Sequence, residues 1–210
     1  MNQDKVYIIG AGAQGRVVLD ILLRIGHDVK GFLDDNEVLV GKDVLEIPVI
    51  GKIIEAKNIN GKFVVAIGDN HLRKKIVEDL AFGRVRYITA INPTAYVASH
   101  VTIGEGSTIL GNVVINTCTS IGRHVILGTS CSISHDNYIG DFVHVAGGSH
   151  TGGGASIDEG SFLGIGVSVI PQVKINKLCI IGSGTVVIKD VPTYAMVVGM
   201  PGRVKKINHV

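Results

Sequence analysis

The chain has no tryptophan, and only five phenylalanines and five tyrosines among 210 residues. That scarcity argues against a protein that stacks nucleic-acid bases on aromatic platforms. Charge of one sign is missing as well. Twenty Lys and Arg stand against 18 Asp and Glu, for a formal net charge of +2. There is no general electrostatic case for a nucleic-acid or membrane-surface partner. Cysteine is sparse: Cys118, Cys131 and Cys179 are odd in number and form no CxxC pair. They read as buried, reduced thiols, which suits a cytoplasmic protein. The N-terminus, MNQDKVYIIGAGAQG, has no basic stretch leading into an apolar core, so no signal peptide is expected. Long apolar runs are absent too, and with nothing near ~18 residues no transmembrane helix is expected.

What the chain has is aliphatic residues on a fixed beat. The apolar share is 46 %. Stepping by six from Ile91 to Val187 visits seventeen positions, and sixteen are Ile, Leu or Val; the lapse is Thr151. A helix of period 3.6 does not produce this, and strand alternation sets no six-residue phase. A short fixed repeat means a solenoid, in which each unit buries its apolar residue only by stacking on the next. Two residues before the aliphatic the side chain is small, as at Ser107, Thr119, Cys131, Ser149, Ala155, Ser161, Cys179 and Thr185. Directly after it comes glycine at 104, 122, 128, 140, 164 and 182, read here as allowing tight corners. Three hexads make one coil of a triangular prism, so equivalent positions of successive coils stack. A β-sandwich would instead need turn signals every ~8–12 residues.

The first part of the chain reads differently. Residues 5–9 (KVYII) form a buried strand, followed at once by Gly10-Ala11-Gly12-Ala13-Gln14-Gly15. A helical stripe of Val17, Val18, Ile21, Leu22 and Ile25 comes next, then a strand from His27 to Leu33 closed by Asp34-Asp35. Strand, GxGxxG, helix, strand and acidic pair make a nucleotide-binding βαβ start, with a phosphate favoured at the helix N-terminus. The segment is too short for two dinucleotide halves. It favours a mononucleotide or nucleotide-linked substrate over NAD, while the glycines alone would also serve a plain strand-to-helix turn. Residues 46–51 read as a loop and 62–67 as a third strand before Gly68-Asp69. A helix over 72–80 carries Arg73, Lys74 and Lys75 outward. A strand over 84–88 leads to a domain boundary near residue 88. After Val191-Pro192 come a last strand (194–198), a turn and a basic tail (204–210), a candidate cover for the prism end.

Candidates for chemistry are polar residues that the repeat does not explain. His135-Asp136, at a turn after Ile133, leads. A histidine takes a proton near neutral pH, and a carboxylate beside it fixes its tautomer and raises its basicity. His144 follows, and then His150, before the run Gly152-Gly153-Gly154 that marks a close backbone approach. His100 and His124 read as structural.

The whole pattern resembles the hexapeptide-repeat acyltransferases, which fold as left-handed parallel β-helices. With the βαβ start, Phe32-Leu33-Asp34-Asp35 and Ile67-Gly68-Asp69-Asn70, it looks like the bacterial sugar acyltransferases. Those include UDP-4-amino-sugar N-acetyltransferases and sialic acid O-acetyltransferases. The resemblance implies an α/β Rossmann-like domain (1–88) that holds a nucleotide-sugar. It also implies an all-β left-handed β-helix domain (89–210) that forms a homotrimer with acetyl-coenzyme A between neighbouring β-helices. By the same resemblance, His135 is the catalytic base and Asp136 its acidic neighbour. His144, Gly153, Ile165 and Ser183 fall where acetyl-coenzyme A is contacted. Gly12, Ala13, Gln14, Asp34, Asp35 and Gly68 fall where the nucleotide-sugar is held. A relative has His at Gln14 and Gly at Ser183. Some β-helix proteins are zinc enzymes, but they pair histidines five apart, and the spacings among His135, His144 and His150 are nine and six. The expected activity is N-acetyl transfer to a nucleotide-linked amino sugar without a metal. A sugar O-acetyltransferase, or a non-catalytic nucleotide-sugar-binding trimer, are the alternatives.

Overall fold

The computed structural model describes residues 5–207 apart from 82 and 84. The extreme N-terminus, the expected strand start at Arg84 and the end of the basic tail at 208–210 lie outside the described residues. The chain divides into two compact units, Met1–Pro93 and Thr94–Val210.

In the first unit the short apolar run becomes β1 (Val6–Ile9), buried along its length. It is followed by α1 (Ala13–Arg24), β2 (Val29–Leu33), β3 (Asp43–Val44), β4 (Ile47–Gly51), a 3-10 turn at Ile53–Asn58, β5 (Lys62–Val65), α2 (Asn70–Leu80) and β6 (Arg86–Tyr87). The sheet order is β3-β4-β2-β1-β5-β6, parallel except for the β3–β4 pair. The segment read as a loop at 46–51 is therefore largely strand, recruited to the free edge of β2. The stripe expected on α1 is also shifted. Val18, Leu19, Ile21 and Leu22 are buried, whereas Val17 and Ile25 stay exposed. One face of the sheet packs Tyr7, Ile9, Leu33, Phe63 and Val65 with Ile76 and Leu80 of α2. The Tyr7 and Phe63 rings stack with centroids 5.5 Å apart.

The second unit is a left-handed parallel β-helix after an α/β domain, as expected. Each hexad contributes a two-residue strand, and equivalent strands of successive coils pair in parallel register. Thus Ser132 and Ile133 pair with His150 and Thr151, which pair with Ser168 and Val169. Three faces result. Face I holds strands beginning at Tyr96, Val114, Ser132, His150, Ser168 and Val186. Face II holds those at Thr102, Ser120, Tyr138, Ser156 and Lys174, and face III those at Thr108, Ile126, His144, Phe162 and Ile180. Every aliphatic on the six-residue beat from Ile109 to Val187 is buried, and Thr151 with them. Val97 and Ile103 lie on the first rung of their faces, with no earlier coil to cover them, and remain partly exposed.

The glycines after the aliphatics act differently from the reading above. Left-handed backbone falls three residues after each aliphatic, at every sixth residue from His100 to Gly184. Asp136, with φ +57°, is one of the non-glycine examples. The glycine just after the aliphatic is required by the neighbouring coil instead. A Cβ on Gly128 would lie 2.5 Å from Gly147 N, and one on Gly140 2.6 Å from Glu159 N. At these glycines the backbone of the next coil stands where a Cβ would go.

The expected basic tail is also strand. Arg203–Ile207 pairs antiparallel with Ala195–Val198, which in turn continues the ladder from Ile180–Ile181. Cys131 and Cys179 are buried free thiols, and Cys118 is exposed. Burial pushes the Cys131 thiol up to about 12 and that of Cys179 upward as well. Both thiols thus stay neutral in the folded chain at pH values where the unfolded chain ionises them. Their contribution to stability holds below the unfolded cysteine range and is lost at higher pH, for Cys131 as pH climbs toward 12. A thiol reagent at mildly alkaline pH should label one cysteine per native chain and the other two only after denaturation. Fast labelling of all three would contradict the buried positions.

Candidate active site

The edge that follows face I carries Thr117, His135, Gly153 and Pro171, one per coil. His135 is exposed, and its Nδ1 lies 2.7 Å from Asp136 Oδ2. A carboxylate only accepts, so Nδ1 carries the proton and Nε2 keeps its lone pair open. The main chain holds the pair in place: His135 O accepts from Gly154 N at 3.0 Å, and Asp136 N donates to Thr117 O at 3.2 Å.

The glycine run on the next coil is explained by this ring. A Cβ on Gly153 would stand 2.6 Å from both Cε1 and Nε2 of His135. What closely approaches the backbone there is the imidazole itself. Gly152 has no Cβ because Pro171 N would be 2.5 Å away, and Gly154 takes φ +68°. The lapse at Thr151 has a local reason too, since its Oγ1 accepts from Ser134 N at 3.3 Å, one residue before His135. His150 does not join the His–Asp pair. Its Nδ1 is 2.8 Å from Ser132 Oγ on face I.

Ile165 and Ser183 occupy a different edge, the one after face III. They stack there, with Gly184 N donating to Ile165 O at 2.8 Å. Ile165 is 68 % exposed, an unusual position for a large aliphatic. His144 lies on face III beside that edge, edge-on to Phe162 at 5.2 Å. One β-helix therefore brings together His135, Asp136 and Gly153, and separately His144, Ile165 and Ser183, with face I between the two groups.

In the first unit the expected residues converge at the carboxyl ends of the neighbouring parallel strands β2, β1 and β5, where open α/β sheets bind ligands. Gly12 is the N-cap of α1 and offers no side-chain cap. Open space surrounds the Cβ positions of Gly12 and Gly68. Gly15 is fixed by packing, since a Cβ there would collide with Gly10 O. Asp34 Oδ2 accepts from Ala11 N at 2.7 Å and shapes the glycine loop, and Asp35 Oδ1 accepts from Ile53 N at 3.0 Å. Ala13 is exposed, and Gln14 Nε2 is buried without a hydrogen-bond partner among the described residues.

Arg73 corrects the outward reading given above, for it is 1 % exposed. Its Nη1 donates to Ile67 O at 2.8 Å and Gly68 O at 3.3 Å, and Nη2 donates to Asn70 Oδ1 at 2.8 Å. Burial lowers its pKa to about 10, opposed by Asp69. It is thus a cation at neutral pH, holding the Gly68 loop from beneath. A single arginine in a basic run gives no signal of this. Among the described residues no helix is long and apolar enough to cross a membrane, and no three metal-ligating side chains converge.

A chain of this build is a hexapeptide-repeat protein of the left-handed β-helix class. Residues 5–80 match the family described as the PglD N-terminal domain. A perosamine N-acetyltransferase from Caulobacter crescentus, solved with CoA and GDP-perosamine, is 33 % identical. The alignment covers 96 % of this chain and 97 % of that one, with a TM-score of 0.92. The acetyltransferase domain of PglB from Neisseria gonorrhoeae, solved with acetyl coenzyme A, is 30 % identical over 97 % of this chain and 100 % of that one, with a TM-score of 0.90. The UDP-N-acetylbacillosamine N-acetyltransferase of Bacillus subtilis is 33 % identical over 110 residues. That match spans 50 % of this chain and 50 % of the relative, so the chain spans about half the length of the curated relatives it matches. With a third of residues shared across almost the whole of a solved relative, the protein belongs to the family of hexapeptide-repeat sugar N-acetyltransferases with a PglD-type N-terminal domain.

Proposed function

We propose that the protein transfers the acetyl group of acetyl-coenzyme A to the amine of a nucleotide-linked amino sugar, with His135 as general base. The observation that carries this reading is the exposed His135–Asp136 pair, with Nδ1 tied to a carboxylate and Nε2 open above Gly153. The free amine attacks the thioester carbonyl and forms the C–N bond. His135 Nε2 takes the proton that the nitrogen sheds. The C–S bond then breaks, and the imidazolium returns the proton to the leaving thiolate, directly or through water. Asp136 holds the tautomer that leaves Nε2 free to take the proton. The Caulobacter enzyme, solved with both CoA and GDP-perosamine, supports an amine rather than a hydroxyl acceptor.

His144, Gly153, Ile165 and Ser183 are assigned to acetyl-coenzyme A. Gly12, Ala13, Gln14, Asp34, Asp35 and Gly68, all in the first domain (residues 1–88), are assigned to the nucleotide-sugar. Because Gly153 and the base lie on one edge and Ile165 and Ser183 on another, a cleft using all of them joins two copies, in line with a homotrimer. The balanced charge and unpaired cysteines favour a cytoplasmic enzyme.

Thiol release from acetyl-coenzyme A is the direct test, with UDP-, GDP- and CMP-linked amino sugars as acceptors. Release is expected with at least one amino sugar and not with its hydroxyl analogue. Release with none of them, while the sugars still raise the melting temperature, would replace the enzyme with a nucleotide-sugar-binding protein. Light scattering should give three times the mass of a single chain.

A further inference from the structure

Inside the β-helix, four hydroxyls placed two residues before an aliphatic share a hydrogen-bond habit, while Thr185 Oγ1, in the same slot of the last coil, has no partner among the described residues. A hydroxyl there donates to a carbonyl of the next coil: Ser107 to Gly122 O, Thr119 to Ser134 O, Ser149 to Gly164 O and Ser161 to Asn176 O. The same oxygen accepts from the main-chain N–H of the equivalent position one coil on, as Ser107 does from Val125, Ser149 from Val167 and Ser161 from Cys179. One hydroxyl thereby satisfies one donor and one acceptor of the next coil.

Asn137 occupies this position in the coil of the His–Asp pair and breaks the habit. It is 2 % exposed. Its Nδ2 donates to Gly152 O at 2.9 Å, which is the usual bond, and also to His135 O at 3.1 Å. Its Oδ1 is buried without a hydrogen-bond partner among the described residues. A buried acceptor left unmatched destabilises a fold. A serine or threonine, which makes the usual bond at four other positions of this slot, would avoid that cost. What the amide adds is a second proton, and with it a bridge that a hydroxyl cannot make.

We infer that Asn137 is a positioning residue for acetyl transfer: its amide ties the carbonyl of the base to the carbonyl preceding the glycine on which the base rests. The two anchors are His135 O and Gly152 O, and Gly153 is the residue whose missing Cβ admits the His135 ring. The bridge sets the spacing between imidazole and floor, and so the direction of Nε2. Asn137 touches no reacting atom and acts only through His135. The inference rests on the acetyltransferase reading above.

The test is Asn137→Ser, with Asn137→Thr beside it. Both restore the hydroxyl habit and remove the bridge to His135 O. The melting temperature is expected to hold or rise. With wild type and variant assayed together, kcat should fall roughly tenfold or more, because small misplacements of a catalytic group are costly. KM for acetyl-coenzyme A should change little. A crystal structure of Asn137→Ser should show the His135 ring shifted from Gly153 or split between rotamers. A purely structural asparagine gives the opposite result, with a lowered melting temperature and unchanged kcat in the surviving folded protein. Wild-type kcat, or a ring superposing on that of the parent, overturns the inference. Failure of the acetyltransferase reading would appear separately, as a wild type inactive with every acceptor.

Discussion

Replacing His135 by alanine is expected to lower kcat by about 10²–10⁴-fold, the usual contribution of a positioned general base. The imidazole is exposed at a corner, so stability should hardly change. Acetyl-coenzyme A should still bind, because His144, Ile165 and Ser183 lie at another edge and Gly153, with no side chain of its own, is left in place. Calorimetry for the cofactor, paired with thiol release under saturating acceptor, separates the two effects. Normal turnover in this variant would remove His135 from the role. Lost turnover together with lost cofactor binding would make it a ligand-binding group instead. Asp136→Asn should cost less, because the ring keeps Nε2 while losing only the carboxylate that orders it.

The second large effect is expected from one methyl group. Gly153→Ala places a Cβ 2.6 Å from Cε1 and Nε2 of His135. The φ of Gly153 is outside the left-handed region, so an L-residue is tolerated by the backbone. The ring, a side chain at an open edge, is what must move. A loss near 10²-fold in kcat is expected, on the scale of a base displaced by about 1 Å. The melting temperature should shift by only a few degrees. Activity close to that of the parent would mean that the ring does not rest on Gly153 during turnover, and would weaken the Asn137 bridge with it.

Particular residues show how far the chain could be read without coordinates. The aliphatic beat from Ile91 to Val187 foretold the β-helix, because parallel stacking repeats each side chain's surroundings once per coil. The βαβ start was legible through Gly10, Gly12, Gly15, Asp34 and Asp35. The His135–Asp136 pair stood out as polar residues the repeat had no use for. Other positions were misread because their reason lies in a neighbouring coil or strand. Gly128 and Gly140 looked like corner residues but are shaped by the backbone of the following coil, at Gly147 and Glu159. Arg73 looked solvated among Lys74 and Lys75, yet it points inward to carbonyls after β5. Thr151 looked like a flaw in the beat, and it accepts a hydrogen bond from Ser134 N, beside the corner that carries His135.

Sequence alone determined the period, the faces and the pairing of rungs, since burial of one aliphatic per hexad allows a single register. It also set the order of the two domains and the chemical character of the leading pair. Tertiary structure alone decided which groups share an edge. His135 meets Gly153 of the next coil, while Ile165 and Ser183 stand at another corner. The reason is geometric. A hydrophobic pattern records how often a side chain turns inward, whereas the edge it comes to share depends on the coils closing into a prism.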